Sequence, residues 1–127
     1  MNNQPKIERR KCPRVSNNVP LKIFSPDADL VTETKNISCS GAYCRINRYL
    51  EPMTKLKVVL LLPVRKNGKV TAKKVSCGGV VVRTENILNE EGFNTAIFFN
   101  DIKPRDTRII AEFVDSVISD QTARTQV

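Results

Sequence analysis

Two short groups of residues have the types and spacing to do chemistry. The first is Arg9-Arg10-x-x-x-Arg14, on a segment interrupted by Cys12 and Pro13. Pro13 disfavours the helical region for Cys12, so this stretch reads as extended or looped. Two arginines four positions apart on such a chain span up to roughly 13 Å. A guanidinium fork donates in pairs to phosphate oxygens or to the O6/N7 edge of guanine, and it stacks on base planes. The second group is Asn36-x-Ser38-x-x-Gly41, at a strand-to-strand junction. Alternate strand residues share a face, so Asn36 and Ser38 present two uncharged hydrogen-bonding groups side by side. Gly41 permits a turn or a close approach that a Cβ would block. An arginine arm over a polar shelf suits a ligand with both guanines and phosphates. Each group also has a plainer reading: a solvated charge run for the first, and an Asx or Ser turn before a glycine for the second.

The charge distribution bears on the first group. The 127 residues carry 21 Lys plus Arg against 13 Asp plus Glu, a net charge of +8. Residues 1–14 hold five basic residues and one acid, half of that net charge, and the remaining body is close to balanced. This speaks against a protein that coats nucleic acid along a whole face. The absence of His excludes Ser–His and Cys–His nucleophile pairs and His-ligated metals. No base with a positioned nucleophile can be named, so no enzyme is expected. Few aromatics leave little to stack bases on, so DNA or RNA is not an expected partner. The longest apolar run, Val58–Val64, is far short of the ~20 residues that cross a bilayer. With no basic n-region and apolar h-region at the start, a cytoplasmic location is expected without membrane insertion. Cys12, Cys39, Cys44 and Cys77 contain no C-x-x-C, a spacing that speaks against a zinc ribbon. Their even count allows a disulfide framework, but Cys39 and Cys44 sit in apolar company and read as small buried hydrophobes. Cys12 lies between two arginines, which lower a thiol's pKa and so open a redox role.

The elements that must position these groups are short β-strands. Val19–Phe24 alternates, with Val19, Leu21 and Ile23 on one side. Leu30–Ser38 and Ala42–Ile46 follow. Leu56–Leu62 is nearly all apolar, reads as buried on both faces, and is expected to stop at Pro63. Asn67-Gly68 is a hairpin signal. Val70–Thr84 is a long strand with a bulge or bend expected at Gly78-Gly79, and Phe93–Phe99 is the last strand. Ile109, Ile110, Phe113, Val114, Val117 and Ile118 then form one stripe on a helix. Six strands and a terminal helix suggest a small closed barrel. The expected organisation is a tail over 1–6, an arginine loop over 7–14, a barrel over 15–102, a helix over 104–119 and a polar tail over 120–127. Residues 7–118 form one domain.

With both motifs in this order on a β-rich chain, residues 7–118 resemble a PilZ domain, the bacterial receptor module for cyclic di-GMP. ERRKCPRV resembles the family's arginine-loop motif, with Arg10 and Arg14 at its defining positions. NISCSG matches the [DN]-x-S-x-x-G motif at Asn36, Ser38 and Gly41. GGVVVR (Gly78–Arg83) and FNTAIFFNDI (Phe93–Ile102) resemble its late strands. The resemblance implies a six-stranded antiparallel β-barrel with a C-terminal helix. It implies that Arg10 and Arg14 grip guanine edges and phosphates, and that Asn36, Ser38 and the backbone near Gly41 hold a second guanine. Arg9 stands where a basic residue favours an intercalated ligand dimer, so two cyclic di-GMP molecules per chain are expected. No other cofactor is implied. Ala96 replaces the usual Gly of the last strand, which is expected to affect packing more than binding. With no output domain attached, the signal is expected to leave through a downstream protein. The alternative is a PilZ-type interaction module that docks a pilus or flagellar component without nucleotide; members of that kind usually lack the arginines.

Overall fold

In the computed structural model, which describes residues 12–125, the strands are β1 (Pro20–Phe24), β2 (Asp29–Ser38), β3 (Gly41–Ile46), β4 (Lys55–Lys66), β5 (Lys69–Asn86) and β6 (Phe93–Asp101). The helix α1 spans Pro104–Thr125. All pairings are antiparallel, and the strands close into a ring in the order β1-β2-β3-β6-β5-β4. The expected six-stranded fold with its C-terminal helix is the observed one.

Alternation builds the ring. Val19, Leu21 and Ile23 are buried while Lys22 between them is exposed. Thr34 also points in, where its hydroxyl accepts the Val19 N–H at 3.0 Å and donates to the Asn17 carbonyl at 2.7 Å. A buried hydroxyl with both roles filled carries no desolvation penalty. The Asn67-Gly68 turn has φ of 55° and 79°, the left-handed pair that matches the twist of a two-residue hairpin. The pairing of β5 with β6 slips at Gly78/Val80, where the glycine pair led us to expect a bulge.

Three expectations fail for physical reasons. β4 is not buried on both faces: Leu56, Val58, Leu60, Leu62 and Val64 face the core, while Leu61 is 45% exposed. β4 also runs past Pro63 to Lys66. Beyond Leu60 it has no partner on its β1 side among the described residues, so a proline without an N–H is tolerated there. The helix, expected over 104–119, continues to Thr125 through the expected polar tail. Nothing between Asp120 and Arg124 is Gly or Pro, so no residue breaks it.

The helix places Ile109, Ile110, Phe113, Val114 and Val117 in the same core as the strands, packed against β2, β4 and β5. Pro104 opens it, a position where a missing N–H is harmless. The Lys103 carbonyl accepts the N–H groups of Asp106 and Thr107.

Candidate functional site

A cleft of about 470 Å³ opens over the neighbouring strands β3, β6 and β5. Arg14, Asn36, Gly41, Tyr43, Arg83 and Ala96 are among the residues that line it. Of the sequence-predicted residues, Arg14, Asn36 and Gly41 therefore meet in one place. Arg14 Nη1 donates to Asn36 Oδ1 at 2.7 Å, a direct bond between the two motifs across 22 positions of chain. Arg9 and Arg10 lie outside the described residues.

Three attachments bring Arg14 there. Val15 and Ile37 exchange both backbone hydrogen bonds, at 2.9 and 3.0 Å, so the arm joins β2 as a short bridge. Cys12 and Cys39 form a disulfide with their Cα atoms 5.8 Å apart. Cys39 is thus a crosslink and not the free buried hydrophobe that its neighbours suggested. The bridge explains it: antiparallel pairing of Val15 with Ile37 carries Cys12 back toward Cys39. The Arg14–Asn36 hydrogen bond is the third.

β2 orients the shelf through an irregularity. Its pairing with β3 slips between Thr34 and Asn36. Thr34 and Ile37 both become buried, and Asn36 is left half-buried at the cleft. Ser38 does not line the cleft. It is 4% exposed; its hydroxyl accepts the Ser40 N–H at 3.2 Å and lies 3.0 Å from the Ser40 hydroxyl. Ser38 fixes the turn into β3, and Ser40 reaches the cleft in its place.

Gly41 has a structural task. A Cβ there would stand 2.2 Å from the Ile97 carbonyl oxygen. The close approach that the glycine permits is therefore that of β6 to β3.

The far wall was invisible to sequence reasoning. Arg83 lies 5.8 Å from the Tyr43 ring centroid, and its Nε is 3.3 Å from a Glu85 carboxylate oxygen. Tyr43 donates its hydroxyl to Glu85 at 3.3 Å, and Lys35 Nζ stands 5.9 Å from the same ring. Two arginines and a lysine against one local carboxylate make the mouth electropositive. Ala96 is paired to Tyr43 on one side and Arg83 on the other, so its methyl group sits in the cleft itself. A run such as GGVVVR signals a strand, but only the ring order places its Arg83 opposite Asn36.

A family model described as the PilZ domain matches residues 8–116. The chain belongs to the PilZ domain family. PilZ domains are cyclic di-GMP receptor modules. Among solved structures, the chain is similar to the Bacillus subtilis inhibitor of motility, MotI/DgrA, at 18% identity and a TM-score of 0.75. The alignment covers 88% of this chain and 52% of that one, so the chain spans about half of that protein's length. It is also similar to the PilZ domain of YcgR from Escherichia coli, solved with c-di-GMP, at 12% identity and a TM-score of 0.60. That match covers 93% of this chain and 98% of the other. At such identities the likeness is one of fold. No match was found among curated proteins.

Among the described residues of this PilZ domain, no group of three or more potential ligands could hold a metal ion. Among the described residues, no helix is long and apolar enough to cross a membrane. The two free thiols, Cys44 and Cys77, are buried. Burial pushes both up to about 12 from an ordinary value of 9.0, and Asp106 and Asp101 add to the effect at Cys77. Both stay protonated at neutral pH. Above pH 9 the unfolded chain releases these protons and the folded one holds them, so their contribution to stability is lost as pH rises from 9 toward 12. Iodoacetamide at pH 8 is expected to label neither thiol in the native protein and both after unfolding. Rapid native labelling, read by mass spectrometry, would show that these sites are open.

Proposed function

We propose that this PilZ domain is a bacterial cytoplasmic cyclic di-GMP receptor, and that the cleft joining Arg14 to Asn36 is its ligand site. The reading is carried by the 2.7 Å hydrogen bond that unites the two motifs at one electropositive cleft. Arg14 supplies a fork for a phosphate or a guanine edge. Asn36 accepts from Arg14 through Oδ1 and keeps its amide donors for a guanine O6 or N7. Tyr43 and Arg83 offer planar groups for base stacking. Ser38 acts through the turn it holds. Arg9 and Arg10 enter from the arm upstream of the disulfide, with Arg9 favouring an intercalated dimer and hence two ligand molecules per chain.

Cys12 to Val15 are already fastened to the barrel. The rest of the arginine loop that ligand is proposed to order, residues 7–11, lies outside the described residues. Ordering it costs conformational entropy and changes the surface beside the cleft. A downstream protein would read that change.

The test is anisotropy with fluorescently labelled cyclic di-GMP on wild type, Arg14→Ala and Asn36→Ala. Losing a charge-assisted hydrogen bond costs about 1.5–3 kcal/mol, so Arg14→Ala is expected to weaken binding roughly 10- to 100-fold. Equal affinity in all three proteins would move the site elsewhere. No binding by wild type would favour the nucleotide-free interaction module.

A further inference from the structure

Net charge hides a strong local asymmetry. From Pro52 to Thr84 there are eight basic residues and no acid, which leaves 13 basic against 13 acidic in the rest of the chain. The apparent balance of the body combines a basic hairpin with an acidic remainder. That hairpin is β4–β5, and it outgrows the ring.

β6 pairs with β5 only from Gly78 onward, opposite Asp101. From Lys69 to Cys77, β5 has β4 on one edge and no strand on the other among the described residues. Such an edge presents unpaired N–H and C=O groups. α1 starts beside it. Lys73, Lys74, Arg105, Arg108, Ile109 and Glu112 line a cleft of about 450 Å³ between strand and helix. Consecutive strand residues point to opposite faces. A cleft touched by both Lys73 and Lys74 therefore lies at the strand's edge, where the backbone is within reach.

The charges there are poorly matched. Lys73 Nζ is 3.7 Å from a Glu112 carboxylate oxygen, and both side chains are well exposed. Among the described residues, Lys74, Arg105 and Arg108 have no carboxylate within 4.0 Å. Four cations thus face one acid in the cleft, beside a strand edge that meets Asp101 and Asp106 only at its Cys77 end.

We propose that this cleft docks an extended acidic segment of a partner protein, laid along β5 as an added strand. Its backbone would complete the hydrogen-bonding ladder of β5 from Lys69 to Cys77. Its carboxylates would meet Lys73, Lys74, Arg105 and Arg108. A nucleic acid fits less well, because no aromatic side chain lines the cleft for stacking and a phosphodiester backbone carries no N–H donor for the free carbonyls of a strand edge. The inference does not rest on cyclic di-GMP binding.

The experiment is an amide-detected NMR titration of the full chain with a capped decapeptide alternating glutamate and valine. A lysine–valine decapeptide, a single-stranded oligonucleotide and phosphatidylglycerol vesicles serve as competing probes. The acidic peptide is expected to shift the amides of Lys73, Lys74, Arg105 and Arg108 and to slow hydrogen exchange along β5 from Lys69 to Cys77. Binding should weaken as salt rises. The double variant Lys74→Glu plus Arg108→Glu, both on exposed positions, is expected to bind about tenfold or more weakly with an unchanged fold by circular dichroism. Shifts without protection of β5 would overturn the added strand. Preferential binding of the oligonucleotide or the vesicles would overturn the choice of partner. If no probe binds, the lysines serve only to keep the edge from pairing, and the proposal fails.

Discussion

Replacing Gly41 by alanine is expected to destabilise the domain severely. The added Cβ would lie 2.2 Å from the Ile97 carbonyl oxygen, 3.2 Å from its carbon and 3.3 Å from the Phe98 Cα. All three atoms are backbone, so no rotamer change relieves the clash. Gly41 also stands in register with Phe98, next to the bond that the Phe99 N–H donates to the Ser40 carbonyl at 2.8 Å, so separating the strands breaks the β3–β6 ladder that floors the cleft. Overpacking costs about 1–3 kcal/mol where side chains can shift, and a backbone obstruction belongs at or above the top of that range. Native domains have only about 5–15 kcal/mol in all. Thermal denaturation followed by circular dichroism should show a Tm lowered by about 10 °C or more, or no cooperative transition. A variant melting within a degree or two of wild type would mean that the two strands do not approach this closely.

Opening the Cys12–Cys39 disulfide has the second largest expected effect. The bond closes a loop between residues 27 apart in sequence. In the chain-entropy account a loop of this size contributes about 3–4 kcal/mol by restricting the unfolded chain. The oxidised protein should therefore melt about 10–15 °C above the Cys12→Ser plus Cys39→Ser double variant. Dithiothreitol should bring the wild type down to the variant and leave the variant unchanged, because Cys44 and Cys77 are free thiols. The same change frees the chain upstream of Arg14, leaving the Val15–Ile37 bridge and the Arg14–Asn36 bond to hold the arm. Coincident melts with and without reductant would remove the crosslink from the account.

These two sites also mark how far the sequence could be read. The strands were legible because Val19, Leu21 and Ile23 alternate with polar residues, and the hairpin because Asn67-Gly68 meets a local backbone need. Local signals were weaker where context decides. Pro63 stops a central strand but not an edge, and whether β4 is an edge there depends on where β1 begins. Asn36 and Arg14 were legible as chemistry, but their meeting depends on a bridge between Val15 and Ile37. The same bridge makes the Cys12–Cys39 bond, which spacing alone could not assign. Tyr43 and Arg83 were missed because they face the cleft only once β6 lies between β3 and β5, a long-range pairing with no local signature. Gly41 was singled out for an approaching ligand, and the closest approach is a neighbouring strand.

The most direct test of the central claim is isothermal titration calorimetry of the oxidised wild-type chain with cyclic di-GMP, beside Arg14→Ala. Saturable heat is expected, close to two ligand molecules per chain and strongly reduced in the variant. Absence of heat from wild type at high ligand concentration, with the protein folded, would contradict it.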